Sequence, residues 1–483
     1  MLGRFEPLSY GRIISLSNLS ECRVIIVLIT ELYPTFYYKL IRFLFTMFWS
    51  KYNILSHSEK YGYLLFNTIS LVFIQINAED IESWYELKDN PDNYKNFANW
   101  QYLVNAKILV ENQDDDLNVY LADILKNRYN SADVALTILP SRGCNFKCIY
   151  CYEQERPMVS MTEETENAIV RFLLQNKNMK RLSVVWYGGE PLINFPTIER
   201  LSNKFQSIGI EYSAKMVTNG FLLNHDVAEK IEELAIRNIQ ITLDGPEPIH
   251  DQRRMLLNGG ATYRKIMENI KYLLEINKTV TIDIRTNVDR RNMETYHDFY
   301  TQFKAEVDDK RVTLYPGFVS DLLSSECVSA EHNISSGGYK AQFALDLFDK
   351  YGIEIKSFLP KYRRHSCVAS KYWAFVIGPE GELYKCWRMV GNKEQEIGNV
   401  RTMQMNMAKF SRYLTGADYT NDPKCLACEF ITMCGGGCPL VRMRNKYEGL
   451  NMNHCCPEKS HMEKLMEMRY EISLQNRAKQ GRC

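Results

Sequence analysis

Between residues 135 and 318 the sequence repeats one unit six times: a short apolar, β-branched run, then a polar or amphipathic stretch. The runs are ALTILP (135–140), SVVWYGGEP (183–191), AKMVTNG (214–220), QITLDGP (240–246), TVTIDIRTNVD (279–289) and RVTLYPGF (311–318). Helices are expected from Thr162, near 197–208, near 225–235 and near 262–276. Thr162 and Thr165 are candidate caps, and the acids around them suit a first helical turn. Strands that each lead into a helix pair in parallel, so the expected class is α/β. The expected form is a helix-covered parallel sheet, closed or partly closed into a TIM-like (β/α)6 barrel. In such folds the chemistry sits beyond the carboxyl ends of the strands.

A chain of 483 residues is too long for one compact core. Residues 1–46 are an apolar extension of uncertain status. Glu31, Pro34, Lys39 and Arg42 interrupt it, and its longest uncharged run, from Val24 to Thr30, falls far short of the roughly 20 residues a spanning helix needs. Residues 47–130 read as a winged-helix-like α+β module. It has a hairpin over Tyr61–Ile76, helices near 78–87 and 93–104, a short strand near 108–111, and a solvated turn at Asp114–Asp116. The barrel is expected over 134–325, a connector with an amphipathic helix over 326–364, and a cysteine-rich domain over 365–470. Rich in glycine and poor in long periodic runs, that last domain is expected to depend on bound metal more than on a large core. The net charge of +1 argues against a nucleic-acid partner, and no membrane partner is expected.

The first strand opens onto CNFKCIYCYE, where Cys144, Cys148 and Cys151 are spaced C-x3-C-x2-C. Thiolates at this pitch suit zinc or an iron–sulfur cluster. A structural zinc site closes with a fourth Cys or His, and the next such residue here is His225. Three thiolates on a four-iron cluster leave one iron open to an exogenous ligand. Disulfides are disfavoured by the tight, ligand-like spacings and by the lack of a secretory signal.

The loop, with aromatic Tyr150 before its third cysteine, resembles the signature of the radical S-adenosylmethionine (SAM) enzymes. Gly188, Gly189 and Glu190 of GGEP, at the end of the second strand, resemble that family's motif for the methionine amino group. Glycines at such a place let backbone approach a ligand closely. Thr242 and Arg254 match positions that, in the related anaerobic sulfatase maturases, contact the cofactor's carboxylate and ribose. Thr218-Asn219-Gly220, Arg285-Thr286-Asn287, Asp244 and Asp289 are further strand-end candidates without assigned roles. The resemblance implies SAM chelating the open iron. Its reductive cleavage would yield a 5′-deoxyadenosyl radical that takes hydrogen from the substrate.

Farther on, Cys367 and Cys386 are joined as C-x13-G-x4-C, with Gly381 as the glycine. Cys425, Cys428, Cys434 and Cys438 follow as C-x2-C-x5-C-x3-C, then Cys455 and Cys456. This array resembles the SPASM extension of radical SAM enzymes that modify peptides and proteins. The alternative is a pair of zinc sites. By resemblance, Cys425, Cys428 and Cys434 with Cys455 or Cys456 hold one auxiliary cluster, and Cys367, Cys386 and Cys438 hold another, completed by the unused member of the 455–456 pair or left with an open site. Three [4Fe–4S] clusters are then expected in all. Cys22, Cys327 and Cys483 are read as spare thiols.

Three functions follow as expectations. The first is a cytoplasmic radical SAM maturase that modifies, by crosslinking, a ribosomally made precursor peptide. Its N-terminal module would bind the leader peptide through an added strand, and a flavodoxin- or ferredoxin-like protein would supply electrons. The second is an anaerobic sulfatase maturase forming formylglycine. In those enzymes the cysteine of G-x4-C precedes an aspartate proposed as the base, whereas Trp387 and Arg388 follow Cys386 here. The third is a non-catalytic iron–sulfur or zinc protein.

Overall fold

The computed structural model describes residues 46–151, 157–319, 337–364 and 367–479, and the backbone of Ile13–Leu16. The readings placed on the rest of 1–45, on 326–336 and on the spare thiols lie outside these residues.

Six parallel strands form the centre: β4 (Asp133–Ile138), β5 (Arg181–Trp186), β6 (Glu211–Thr218), β7 (Ile236–Thr242), β8 (Thr281–Val288) and β9 (Val312–Phe318). They pair strictly in chain order, each parallel to the next. All six carboxyl ends therefore lie on one side. Alternate residues of β8, Ile282, Ile284 and Val288, are fully buried in the main core, so Asp283, Arg285 and Asn287 face the other side of the sheet. Helices α4 (Glu163–Leu174), α5 (Phe195–Ser207), α7 (Glu247–Arg253) and α8 (Tyr263–Ile276) follow β4, β5 and β7. Thr162 caps α4, its hydroxyl accepting from Thr165 N. The helix expected near 225–235 is shorter, α6 (His225–Lys230), because the chain turns through Ala235 at positive φ into β7.

The sheet does not end with the barrel. Strand β10 (Ala374–Ile377) pairs in parallel with β4, and β11 (Glu382–Tyr384) pairs antiparallel with β10. All seven of these residues are buried. The cysteine-rich region thus shares the central sheet and core, a packing contribution that its composition did not suggest.

In the N-terminal module β1 (Asn53–Ser58), β2 (Gly62–Asn67) and β3 (Phe73–Ile76) form an antiparallel meander. Leu65, Ile74 and Ile76 pack against Trp84 and Leu87 of α1 (Ile81–Asp89), and against Trp100 and Leu103 of α2 (Trp100–Asn105). Ile54, Leu64, Phe66 and Phe73 pack the opposite face against Phe430, Met433 and Tyr470 of the cysteine-rich region. Asp114–Asp116 is not a free turn: Asp115 and Asp116 open α3 (Asp115–Arg128), where their charge suits the helix N-terminus.

At the other end of α3, Arg128 is 2% exposed and pairs at 2.5 Å with Asp418, itself 5% exposed. Removing one partner of a buried pair strands the other charge. Asp418→Ala is therefore expected to cost about 3–5 kcal/mol, measured as a lowered denaturation midpoint of the full chain.

Candidate active site

The cysteine loop is built by its neighbours. After β4, Lys147 N donates to Met255 O (3.0 Å), Ile149 N to Arg253 O (3.1 Å) and Leu257 N to Asn145 O (3.0 Å). Phe146 and Leu256 form an antiparallel bridge. The loop is thus strapped along its length to the segment after α7.

That segment is anchored in turn by Arg253, which sequence reasoning passed over. Its Nε donates to Asp244 (3.2 Å), Nη1 to Asp289 (2.9 Å) and Nη2 to Asn287 O (3.2 Å). Both carboxylates are fully buried. The ends of β7 and β8 are therefore clamped on one guanidinium, which also lies 5.1 Å over the Tyr150 ring. The signal available was the pairing of LDG and NVD strand ends with two adjacent arginines.

His250 extends this network. Its Nδ1 accepts from Asp244 N (3.2 Å), and its Nε2 meets the Thr262 hydroxyl (3.1 Å), which donates to Arg254 O (2.7 Å). Burial and the two arginines hold its pKa well below the ordinary histidine value, so the ring is neutral with its proton on Nε2.

Cys144, Cys148 and Cys151 are partly buried. Phe146 N donates to Cys144 Sγ at 3.4 Å. The Tyr150 hydroxyl accepts from Arg254 Nη1 (2.7 Å) and from Asn287 Nδ2 (2.9 Å). Arg254 is only 8% exposed, so it is not a solvated helix-end charge. Burial disfavours its charge, but Cys148, Tyr150 and Asp244 hold its pKa well above the ordinary value. Its Nε is buried without a partner, as is Asn145 Nδ2. Thr242 is 7% exposed.

The GGEP turn meets the loop from β5. A Cβ on Gly188 would stand 2.4 Å from Ser141 O, and one on Gly189 would stand 2.4 Å from Gly143 O and 2.5 Å from Arg142 O. The close approach these glycines permit is to the backbone of the cysteine loop. The Glu190 carboxylate is fully buried and accepts from Thr218 Oγ1 (2.7 Å), Asn219 N (2.7 Å) and Leu192 N (3.1 Å). Burial raises its pKa against the opposing pull of these bonds. Its side chain ties β5 to β6, leaving only its backbone to face a ligand.

These features fit the implied group. Three uncrosslinked thiols lie beside a buried guanidinium, and the unmatched donors of Arg254 and Asn145 with the Thr242 hydroxyl suit carboxylate and hydroxyl groups.

The remaining cysteines fall into two groups. Cys367, Cys386 and Cys438 lie within electrostatic reach of one another, and burial pushes the Cys386 thiol up to about 12. Cys425, Cys428, Cys434 and Cys456 form the other. Cys456 and Cys434 share a hydrogen bond that lowers the Cys434 pKa and raises that of Cys456. Cys455 is exposed. Asp422 and His454 offer ligand atoms within 4.8 Å of each other and of Cys425 Sγ. Between the two ends of the site, Trp387 stacks on Tyr187 at 5.5 Å and 17° while remaining 40% exposed.

Residues 138–303 match the model of the Radical SAM superfamily. The chain is 25% identical over 354 residues to the cysteine-type anaerobic sulfatase-maturating enzyme of Clostridium novyi (strain NT), covering 67% of this chain and 92% of that protein. It is 23% identical over 342 residues to the radical SAM cyclopropyl synthase TigE of Paramaledivibacter caminithermalis, covering 65% of this chain and 69% of that one. The solved structure of native anSMEcpe with bound AdoMet and Cp18Cys peptide shares its fold, with a TM-score of 0.57 at 22% identity, over 71% of this chain and 98% of that one. Residues 138–303 are a radical SAM domain, and the chain is an enzyme.

Proposed function

We propose that this enzyme is a peptide maturase that acts on a ribosomally made precursor and crosslinks it. SAM, bound to a four-iron cluster on Cys144, Cys148 and Cys151, supplies one-electron chemistry able to activate a C–H bond. Arg254 and Thr242 would take the carboxylate and hydroxyl groups of that cofactor, and the backbone of Gly188, Gly189 and Glu190 would border its amino end. Tyr150, its hydroxyl bonded to Arg254 and Asn287, would keep the loop in register with the ends of β7 and β8. Cys425, Cys428, Cys434 and Cys456 would hold one auxiliary cluster, and Cys367, Cys386 and Cys438 a second.

The observation that carries the peptide reading is the Trp387–Tyr187 stack beside Cys386. An exposed aromatic wall stands where the sulfatase maturases are described as carrying a basic aspartate, which suits packing of a peptide side chain rather than proton removal from a small Cys or Ser. The anSMEcpe structure holds a peptide, which supports a peptide substrate on this fold. The N-terminal module would grip the leader. It is bonded to the auxiliary loop by Thr68 Oγ1 donating to Glu429 O and Thr432 Oγ1 donating to Thr68 O, each 3.0 Å. Formylglycine formation is the second reading, favoured by the 354-residue alignment with a sulfatase maturase.

Anaerobically purified protein is expected to be brown and to cleave SAM when reduced; a colourless, zinc-loaded protein ends the reading. Cys148→Ala should abolish cleavage while leaving iron in the C-terminal region, checked by iron content and 5′-deoxyadenosine formation. Gly189→Ala, which drives a methyl into two carbonyls of the cysteine loop, should lower cleavage about 10²-fold, the scale of a displacement near 1 Å. A neighbouring short gene with recurring Cys, Asp or Glu favours a precursor peptide, and a neighbouring sulfatase favours the second reading.

A further inference from the structure

The two groups of C-terminal thiols have unlike electrostatic surroundings. In one, Arg442 Nη1 donates to Cys425 Sγ and Lys459 Nζ donates to Cys428 Sγ, each at 3.4 Å. Arg442 is held in place, with Nε on Ala417 O (3.0 Å), Nη2 on Asp422 (2.8 Å), and a side chain only 10% exposed. The Asp422 carboxylate accepts from the same sulfur at 3.7 Å, and Arg442 bonds to both groups. Glu458, the acid beside Cys434 and Cys456, is paired with Arg363 at 3.5 Å. Lys459 has no acid paired with it among the described residues, so its charge is directed at the sulfur.

The group of Cys367, Cys386 and Cys438 differs. Among the described residues no cationic side chain donates to these sulfurs. The neighbouring ammonium of Lys385 donates to Lys371 O (2.5 Å) and Ala374 O (2.6 Å) and lies within electrostatic reach of Cys367 without bonding to its sulfur. Arg388 lies within electrostatic reach of Cys386 without bonding to its sulfur.

We propose that Arg442 and Lys459 are positioning residues that raise the reduction potential of the cluster on Cys425, Cys428, Cys434 and Cys456, making it the more readily reduced of the two auxiliary clusters. This rests on the cluster assignment proposed above. Reduction adds one electron and one unit of negative charge, which spreads over the thiolate sulfurs. Charged N–H donors aimed at those sulfurs stabilise the reduced form more than the oxidised one. The buried guanidinium is also little screened by salt.

The test is a redox titration of the full-length, anaerobically reconstituted protein with dithionite and mediators, followed by electron paramagnetic resonance alongside iron analysis. The signal in question is the one lost in Cys434→Ser. Lys459→Met and Arg442→Gln are each expected to move its midpoint to a more negative potential while the other signals stay in place. Lys459→Arg should restore it. Lys459 is exposed, so its variant tests the idea even if Arg442→Gln fails to fold. An unchanged midpoint in Lys459→Met overturns the proposal. Absence of any Cys434-dependent signal in iron-loaded wild-type protein overturns the cluster assignment on which it rests.

Discussion

One buried guanidinium sets the geometry of the barrel mouth. Arg253 is 4% exposed, and its donors reach Asp244, Asp289 and a backbone carbonyl at the ends of two strands. Burying three charges is costly unless every one is hydrogen-bonded, and removal of one partner costs about 3–5 kcal/mol. Such a group tolerates little displacement. Because Arg253 O accepts from Ile149 N, the backbone that carries this clamp also carries the cysteine loop. The thiols are thereby positioned relative to β7 and β8 before any metal binds.

The same economy joins the distant parts of the chain. Strand β10 extends the barrel sheet beside β4, the strand that opens onto the cysteine loop. Cys386 lies two residues beyond β11, so both cysteine regions hang from one hydrogen-bonded sheet. The N-terminal module is buried on its own helices on one face and on Phe430, Met433 and Tyr470 on the other. A peptide gripped by that module would thus be held at a fixed offset from the auxiliary thiols.

The barrel was legible because its signal is local. Each strand carries a short apolar or alternating run, and the loop motifs sit where the strands stop. The partition of the later cysteines came from the family resemblance, which left Cys455 and Cys456 as alternatives. Three features were not legible. Helix α3 was hidden because its start, QDDD, has the composition of a turn, and its amphipathic face is completed only by Tyr419 and Ile431 from far along the chain. Strand β10 looked like part of a glycine-rich, metal-dependent region because its partner, β4, lies some 240 residues earlier in the sequence. Arg253 looked like the lesser of two adjacent arginines, since nothing local tells which one turns inward to the aspartates. In each case the deciding contact is long-range.

The hydrogen-bond accounting separates scaffold from recognition at the site. Glu190, Asp244, Asp289 and His250 are buried with their polar atoms matched, so they shape the cavity and have little left to offer a ligand. Arg254 Nε and Asn145 Nδ2 are buried there without a partner. A buried donor without a partner costs about 1–3 kcal/mol, a cost that a bound carboxylate or hydroxyl would relieve. The glycines belong to the first class, since what they admit is the loop backbone.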